Sequence, residues 1–188
     1  MQRRKFLLAS ALSIPVFAAA RKMNSGRAGK IKGFVVKQGQ SRFDERTKIG
    51  DINPVDIKVS AKDTEGVLSI SEYTGYTKGG PPVHIHPNQD EVFIVLEGEH
   101  LFQLDQELHR LTPGDTIFIP RGTPHAPAQL SEKGKYLFFF TPSGSMEDFF
   151  RALGEIKFKG QPPADLMLKI FQSHDMKVVG PPLKIEQL

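Results

Sequence analysis

From residue 31 onward the chain reads as short β-type runs broken by turn residues: 31–37, 55–61, 67–77, 91–97, 100–105, 107–111, 116–120 and 136–141. Runs of this length and spacing with no helical pattern between them disfavour a parallel α/β sheet and point to a sandwich or barrel. The punctuation has a local cause. Gly98 separates two runs, and Pro113-Gly114-Asp115 precedes another, so the chain supplies a residue free to take positive φ and a proline that presets a turn. Seventeen glycines and fourteen prolines in 188 residues argue against a bundle or coiled coil, and 39% hydrophobic residues is enough for one core. Helices are expected only near the end. Ser145-Met146-Glu147-Asp148 resembles a capping start for a helix carrying Phe149, Phe150 and Leu153 and stopped by Gly154. A second helix is expected from Ala164 to about Ser173 with Leu166, Met167, Ile170 and Phe171 as its apolar stripe.

Residues 1–20 are read as an export signal rather than as part of the fold. Arg3-Arg4-Lys5 is followed by an apolar run, Phe6 to Ala20, that is interrupted by Pro15, too short to span a membrane, and closed by Ala18-Ala19-Ala20. The arginine pair ahead of Phe6-Leu7-Leu8 resembles a twin-arginine signal, whose pathway exports folded proteins; plain Sec export is the alternative. Residues 21–30 are then a polar linker, and 31–188 a single domain with its core at about 55–142 and a helical C-terminal extension. The expected location is periplasmic or extracellular, with no membrane anchor after cleavage. The net charge is +4, but the leader supplies three of those charges. No basic surface for nucleic acid is therefore expected.

The chain has no cysteine, which excludes disulfides, thiolate metal sites and thiol nucleophiles. Any metal must rest on histidine, carboxylate, carbonyl or water. His84-Ile85-His86 beside a β-type run places two imidazoles on one face, because strand side chains alternate. Pro87-Asn88-Gln89-Asp90 then turns the chain so that Glu91 opens the next strand, and His125 arrives after Pro120-Arg121-Gly122. Three nitrogens and one oxygen suit one divalent transition metal ion (Fe, Mn, Ni, Co, Cu or Zn) rather than Ca or Mg.

Gly80-Pro-Pro-Val-His84-Ile-His86-Pro-Asn-Gln-Asp-Glu91, six residues and Gly98 resemble the first cupin motif, and Gly114, Pro120-Arg-Gly122 and His125 resemble the second. The resemblance implies an all-β antiparallel jelly-roll barrel and carries the metal-ligand roles to His84, His86, Glu91 and His125. Two departures stand out. No glycine lies at the expected spacing ahead of His84, where the chain offers Gly79 and Gly80 instead, and Gln129 takes the place of an asparagine. Both concern turn geometry and packing rather than ligands. His100, His109 and His174 fall outside the motifs and are expected to be structural or exposed, and Arg121 is expected to be a solvated turn residue. Glu91 has three readings: a fourth ligand, a surface strand residue, or a catalytic base that binds metal part of the time.

Alternation from Glu91 sends Phe93, Val95 and Glu97 inward and Val92, Ile94 and Leu96 outward. The inner face, with Phe102, Phe118, Phe138, Phe140 or Tyr73, suits an apolar or aromatic ligand near the metal. The outer face needs cover from a second sheet, the terminal helices or another subunit, and a homodimer is expected. The chain resembles single-domain quercetin 2,3-dioxygenases, which implies a metal-dependent dioxygenase acting on a small phenolic or enolisable substrate with Glu91 as catalytic residue. A metal-dependent isomerase or decarboxylase and a non-catalytic metal- or ligand-binding cupin are the alternatives. No DNA-binding segment is visible.

Overall fold

The computed structural model describes residues 31–50, 52–156 and 163–185. The export signal and the 21–30 linker lie outside the described residues. The strands are β1 (Arg46–Ile49), β2 (Asn53–Val59), β3 (Ser69–Gly75), β4 (Pro82–Ile85), β5 (Asp90–Glu97), β6 (His100–Leu104), β7 (Glu107–Leu111), β8 (Thr116–Ile119), β9 (His125–Gln129) and β10 (Gly134–Thr141). Helices α1 (Met146–Glu155) and α2 (Ala164–Ser173) and strand β11 (Lys177–Pro182) complete the chain. One sheet runs β1-β2-β3-β10-β5-β8 and the other β11-β4-β9-β6-β7. Neighbouring strands are antiparallel throughout. This is the expected jelly roll.

Two sheets need an apolar inner face, and period-2 alternation supplies it. On β10, the strand laddered to both β3 and β5, Phe138 and Phe140 are buried while Leu137 and Phe139 are half-buried on the other side. On β5 the buried set is Glu91, Phe93 and Val95. Phe93 meets Phe102 edge-to-face at 4.9 Å, a geometry worth about 0.5–1.5 kcal/mol beyond area burial. Phe118 corrects the expected lining. Ile117 and Ile119 occupy the inner face of β8, so Phe118 points out and is 55% exposed.

Residues 31–37 form no strand. Phe34 and Val36 instead line a groove of about 610 Å³ over the outer sheet face with Ile70, Leu96 and Leu137, so part of the cover expected from other elements comes from this segment. The Ser145 side chain makes no cap bond. The anchoring group is Glu147, which accepts from the Ser60 hydroxyl (3.0 Å) and from the Ala61 N–H and so ties α1 to the turn after β2. α1 also runs one residue past Gly154.

The motif departures have structural roles. Gly79, at φ +99, exchanges two backbone hydrogen bonds with Gln129 (2.9 and 2.8 Å). A Cβ on Gly80 would lie 1.9 Å from the Pro127 carbonyl oxygen, so the approach to β4 passes β9 at a distance only glycine permits. Gln129 is buried, and its Nε2 donates to the carbonyls of Gly75 (3.2 Å) and Ser131 (2.9 Å).

Candidate metal centre

His84 lies on β4 and pairs across the ladder with His125, the first residue of β9. His86 follows the end of β4, and Glu91 is the second residue of β5, across the turn. One ligand atom from each of these four residues lies within 4.8 Å of all the others, and all four residues are buried. The ring centroids are 4.4 Å apart for His84 and His125, 5.1 Å for His84 and His86, and 5.3 Å for His86 and His125.

Backbone carbonyls fix two of the rings. A carbonyl only accepts, so Nδ1–H of His84 donates to Pro82 (2.8 Å) and Nδ1–H of His125 donates to Thr123 (2.9 Å). Both Nε2 lone pairs are left for the centre, the second-layer arrangement of a metal-ligating imidazole. His125 Nε2 then stands 2.9 Å from Glu91 Oε2, and His86 Nε2 stands 3.5 Å from the same oxygen. Two lone-pair atoms at 2.9 Å require a proton or a cation between them. His86 has no hydrogen-bond partner for either nitrogen although it is 2% exposed. An orphaned buried imidazole is costly unless it has a ligand. The donor set therefore fits a metal ion.

Burial dominates the electrostatics. It holds His84 well below its ordinary pKa, aided by His125 and His86, and together with His125 it brings His86 down to about 3. Burial pushes the Glu91 carboxyl up, against the pull of His125. His84 and His86 are thus kept neutral, the form that binds metal.

Arg121 is not simply solvated. Its backbone N–H, Nε and Nη2 all donate to the Asp90 carboxylate at 2.8, 3.0 and 2.7 Å, and the Gly122 N–H donates to the His86 carbonyl at 2.8 Å. These bonds join the turn that carries His125 to the turn that carries His86 and Glu91. The pairing went unread because its signal is only an acid next to a candidate ligand and a base in a turn thirty-one residues on. His100, His109 and His174 stand apart from the centre. His100 is fully buried, with Nε2 3.2 Å from the Glu97 carbonyl; His109 is on β7; His174 ends α2, its Nδ1–H donating to Ile170. The walls are aromatic, with Phe140 5.2 Å from His86 and Phe171 5.2 Å from His84.

The cupin domain profile matches residues 76–140, a stretch that contains all four converging residues. The chain belongs to the cupin superfamily. Its relatives include an uncharacterized protein of Aquifex aeolicus (strain VF5), 34% identical over 83 residues that cover 44% of this chain and 69% of that one. The quercetin 2,3-dioxygenase of Bacillus subtilis (strain 168) is 32% identical over 133 residues, 66% of this cupin but 39% of the enzyme, so this cupin spans well under half of that relative. Among solved structures, KdgF from Halomonas sp. matches with TM-score 0.51 and 19% identity over 59% of this chain and 94% of that one, a likeness of fold.

Proposed function

We propose that this cupin is a metal-dependent dioxygenase acting on a small phenolic or enolisable substrate. The observation that carries the reading is the buried His84, His86, His125 and Glu91 set, in which nitrogen and carboxylate lone pairs abut beside aromatic walls. The Bacillus quercetin 2,3-dioxygenase relative supports the reaction class. One divalent transition ion held by the three imidazoles and Glu91 would act as a Lewis acid toward a phenolate or enolate oxygen. The chain does the rest: the carbonyls of Pro82 and Thr123 orient His84 and His125, the phenylalanine rings exclude water, and Glu91 accepts the substrate hydroxyl proton. The raised Glu91 pKa suits a carboxylate that alternates between ligand and base. The test is metal analysis of purified protein followed by oxygen-uptake screening on phenols and diketones. Turnover without oxygen uptake would assign an isomerase or decarboxylase instead, and binding without turnover would assign a ligand-binding cupin.

Two further readings belong to this proposal. Residues 1–20 direct export to the periplasm or beyond, supported by the arginine pair and apolar run. Replacing Arg3 and Arg4 by lysine should leave the protein in the cytoplasm, and normal export of that variant would assign Sec. The protein works as a homodimer, supported by Leu96 (42% exposed) and Phe118 (55%) on the outer face of the six-stranded sheet. Sedimentation should give twice the chain mass, and Phe118→Lys should shift it toward the monomer.

A further inference from the structure

All four side chains of the metal centre are buried, so a substrate reaches them only if something packed against them moves. Among the described residues, two phenylalanine rings touch these imidazoles. Phe140 sits on β10, whose backbone is held by β3 on one side and β5 on the other, so its element does not move without breaking the sheet. Phe171 sits on α2, which belongs to no ladder.

Phe171 is 1% exposed, edge-on to His84 at 5.2 Å and edge-on to Phe149 of α1 at 5.0 Å. It is the one buried residue among the ten of α2. Met167 and Ile170 are half-buried, and Leu166 and Leu168 are 37% and 39% exposed. Pro163 at the N-terminus of the helix gives no side-chain cap. At the other end, Asn88 donates to the carboxylate of Asp175, whose φ is +60, and this bond ties the turn after α2 to the loop between His86 and Glu91. An element with one fully buried ring and only two partly buried residues, Met167 and Ile170, against the core belongs to the low-stability end of a fold and opens locally well before the whole unfolds. The tether near Asp175 keeps that opening attached to the centre.

We propose that the slot filled by the Phe171 ring, between His84 and Phe149, is the seat for an aromatic ring of the substrate, and that α2 withdraws Phe171 to admit it. The slot is apolar and edge-on to aromatic rings on two sides, so it takes an uncharged phenyl-sized ring in the geometry Phe171 now shows. A hydroxyl on such a ring faces the imidazole side, which makes the ligand class a simple phenol. This rests on the metal-centre reading for its chemistry, but the slot itself is read without metal.

The experiment compares wild type, Phe171→Ala and, as a control on the same helix, Leu168→Ala. Each is loaded with cobalt(II), analysed for metal per chain and mixed with excess EDTA, and the metal-free forms are titrated with phenol while the melting temperature is followed. Phe171→Ala should hold metal near one per chain, lose it to EDTA at least about tenfold faster than wild type, as expected when a local opening is no longer required, and be stabilised by phenol. Leu168→Ala should match wild type in all three. Metal loss from Phe171→Ala at the wild-type rate, or no stabilisation by phenol, would overturn the proposal. Should Phe171→Ala not fold, Phe171→Trp gives the chain its only tryptophan. Its emission should be shielded from acrylamide and become quenchable when phenol is added; emission indifferent to phenol would overturn the proposal equally. Wild type that takes up no metal would defeat the metal-centre reading alone, since the phenol titrations use metal-free protein.

Discussion

Glu91 Oε2 and His125 Nε2 approach to 2.9 Å with the proton of His125 committed to Thr123, and this contact makes Glu91 the residue with the most to reveal. Glutamine at 91 keeps the size and one oxygen but loses charge and basicity. Glu91→Gln should therefore retain much of the metal on three imidazoles yet lose on the order of 10²-fold or more in turnover, the range of a missing general base. Glu91→Ala should lose both. Metal per chain beside steady-state turnover checks this, and full turnover in metal-loaded Glu91→Gln would remove the base role. His84→Ala, His86→Ala and His125→Ala should each strip most of the metal, whereas His109→Ala, at a site outside the cluster, should not. At this scale the sequence was legible because ligand chemistry leaves few residue types to choose from. His86 and His100 show how much rests on spacing: both are buried histidines with an unpartnered nitrogen, and the motif position alone marks one as candidate ligand and the other as core residue.

The elements were legible where both alternation and β propensity were present. β10, with Tyr136-Leu137-Phe138-Phe139-Phe140, declares itself, whereas β9 reads His125-Ala-Pro-Ala-Gln129 and looks like a loop. It is a strand because it is buried along its whole length between β6 and β4, and tertiary context overrides its poor propensity. Its proline is tolerated because pairing with β4 is confined to His84 and His125, so the ladder on that side has lapsed by Pro127. The stretch around Phe34 and Val36 shows the converse: apolar residues that find no partner strand lie on the sheet instead of joining it. The close pass of Gly80 over β9 yields a prediction at the same scale. Gly80→Ala must push the Pro127 carbonyl away and should cost about 1–3 kcal/mol, the usual range for overpacking, read as a lower thermal midpoint in the metal-free protein. An unchanged midpoint would mean that β9 shifts freely there. Arg121→Ala should leave the midpoint near wild type but weaken metal binding by roughly tenfold, the low end for loss of a group that holds ligands in place, because it removes the two side-chain bonds of the join and leaves only the backbone bonds to Asp90 and His86.

For the molecule as a whole, the buried imidazoles set how stability responds to acid. Burial lowers the pKa of His84 and His86, and also that of His100, which packs against Tyr136 and Phe102 at the Gln129 end of β9 and, among the described residues, faces no carboxylate side chain within hydrogen-bonding distance. Tyr136, held well above its ordinary pKa mainly by burial, stays neutral and adds no charge there. In the unfolded chain each histidine takes its proton near pH 6.5, while the folded protein resists it, so the unfolded state binds more protons in acid. The stability these three contribute is full above about pH 6.5 and falls as the pH drops below it, by up to about 1.4 kcal/mol per pH unit for each histidine. For His86 the loss continues to about pH 3. Glu91 works in the opposite direction: its raised pKa lets the folded state take a proton first, which returns stability in acid, but one carboxyl opposes three imidazoles. The denaturation midpoint of metal-free protein should therefore fall steadily from about pH 7 to about pH 5, and His100→Gln should make that fall shallower by about one proton's worth. Bound metal reshapes the curve. At a free ion concentration of about 100 times Kd it adds about 2.7 kcal/mol near neutral pH, and that gain disappears in acid as protons displace the ion from Nε2, so the loaded and metal-free curves should converge there. A metal-free midpoint that stays flat between about pH 7 and 5 would show that the imidazoles are not held neutral by the fold.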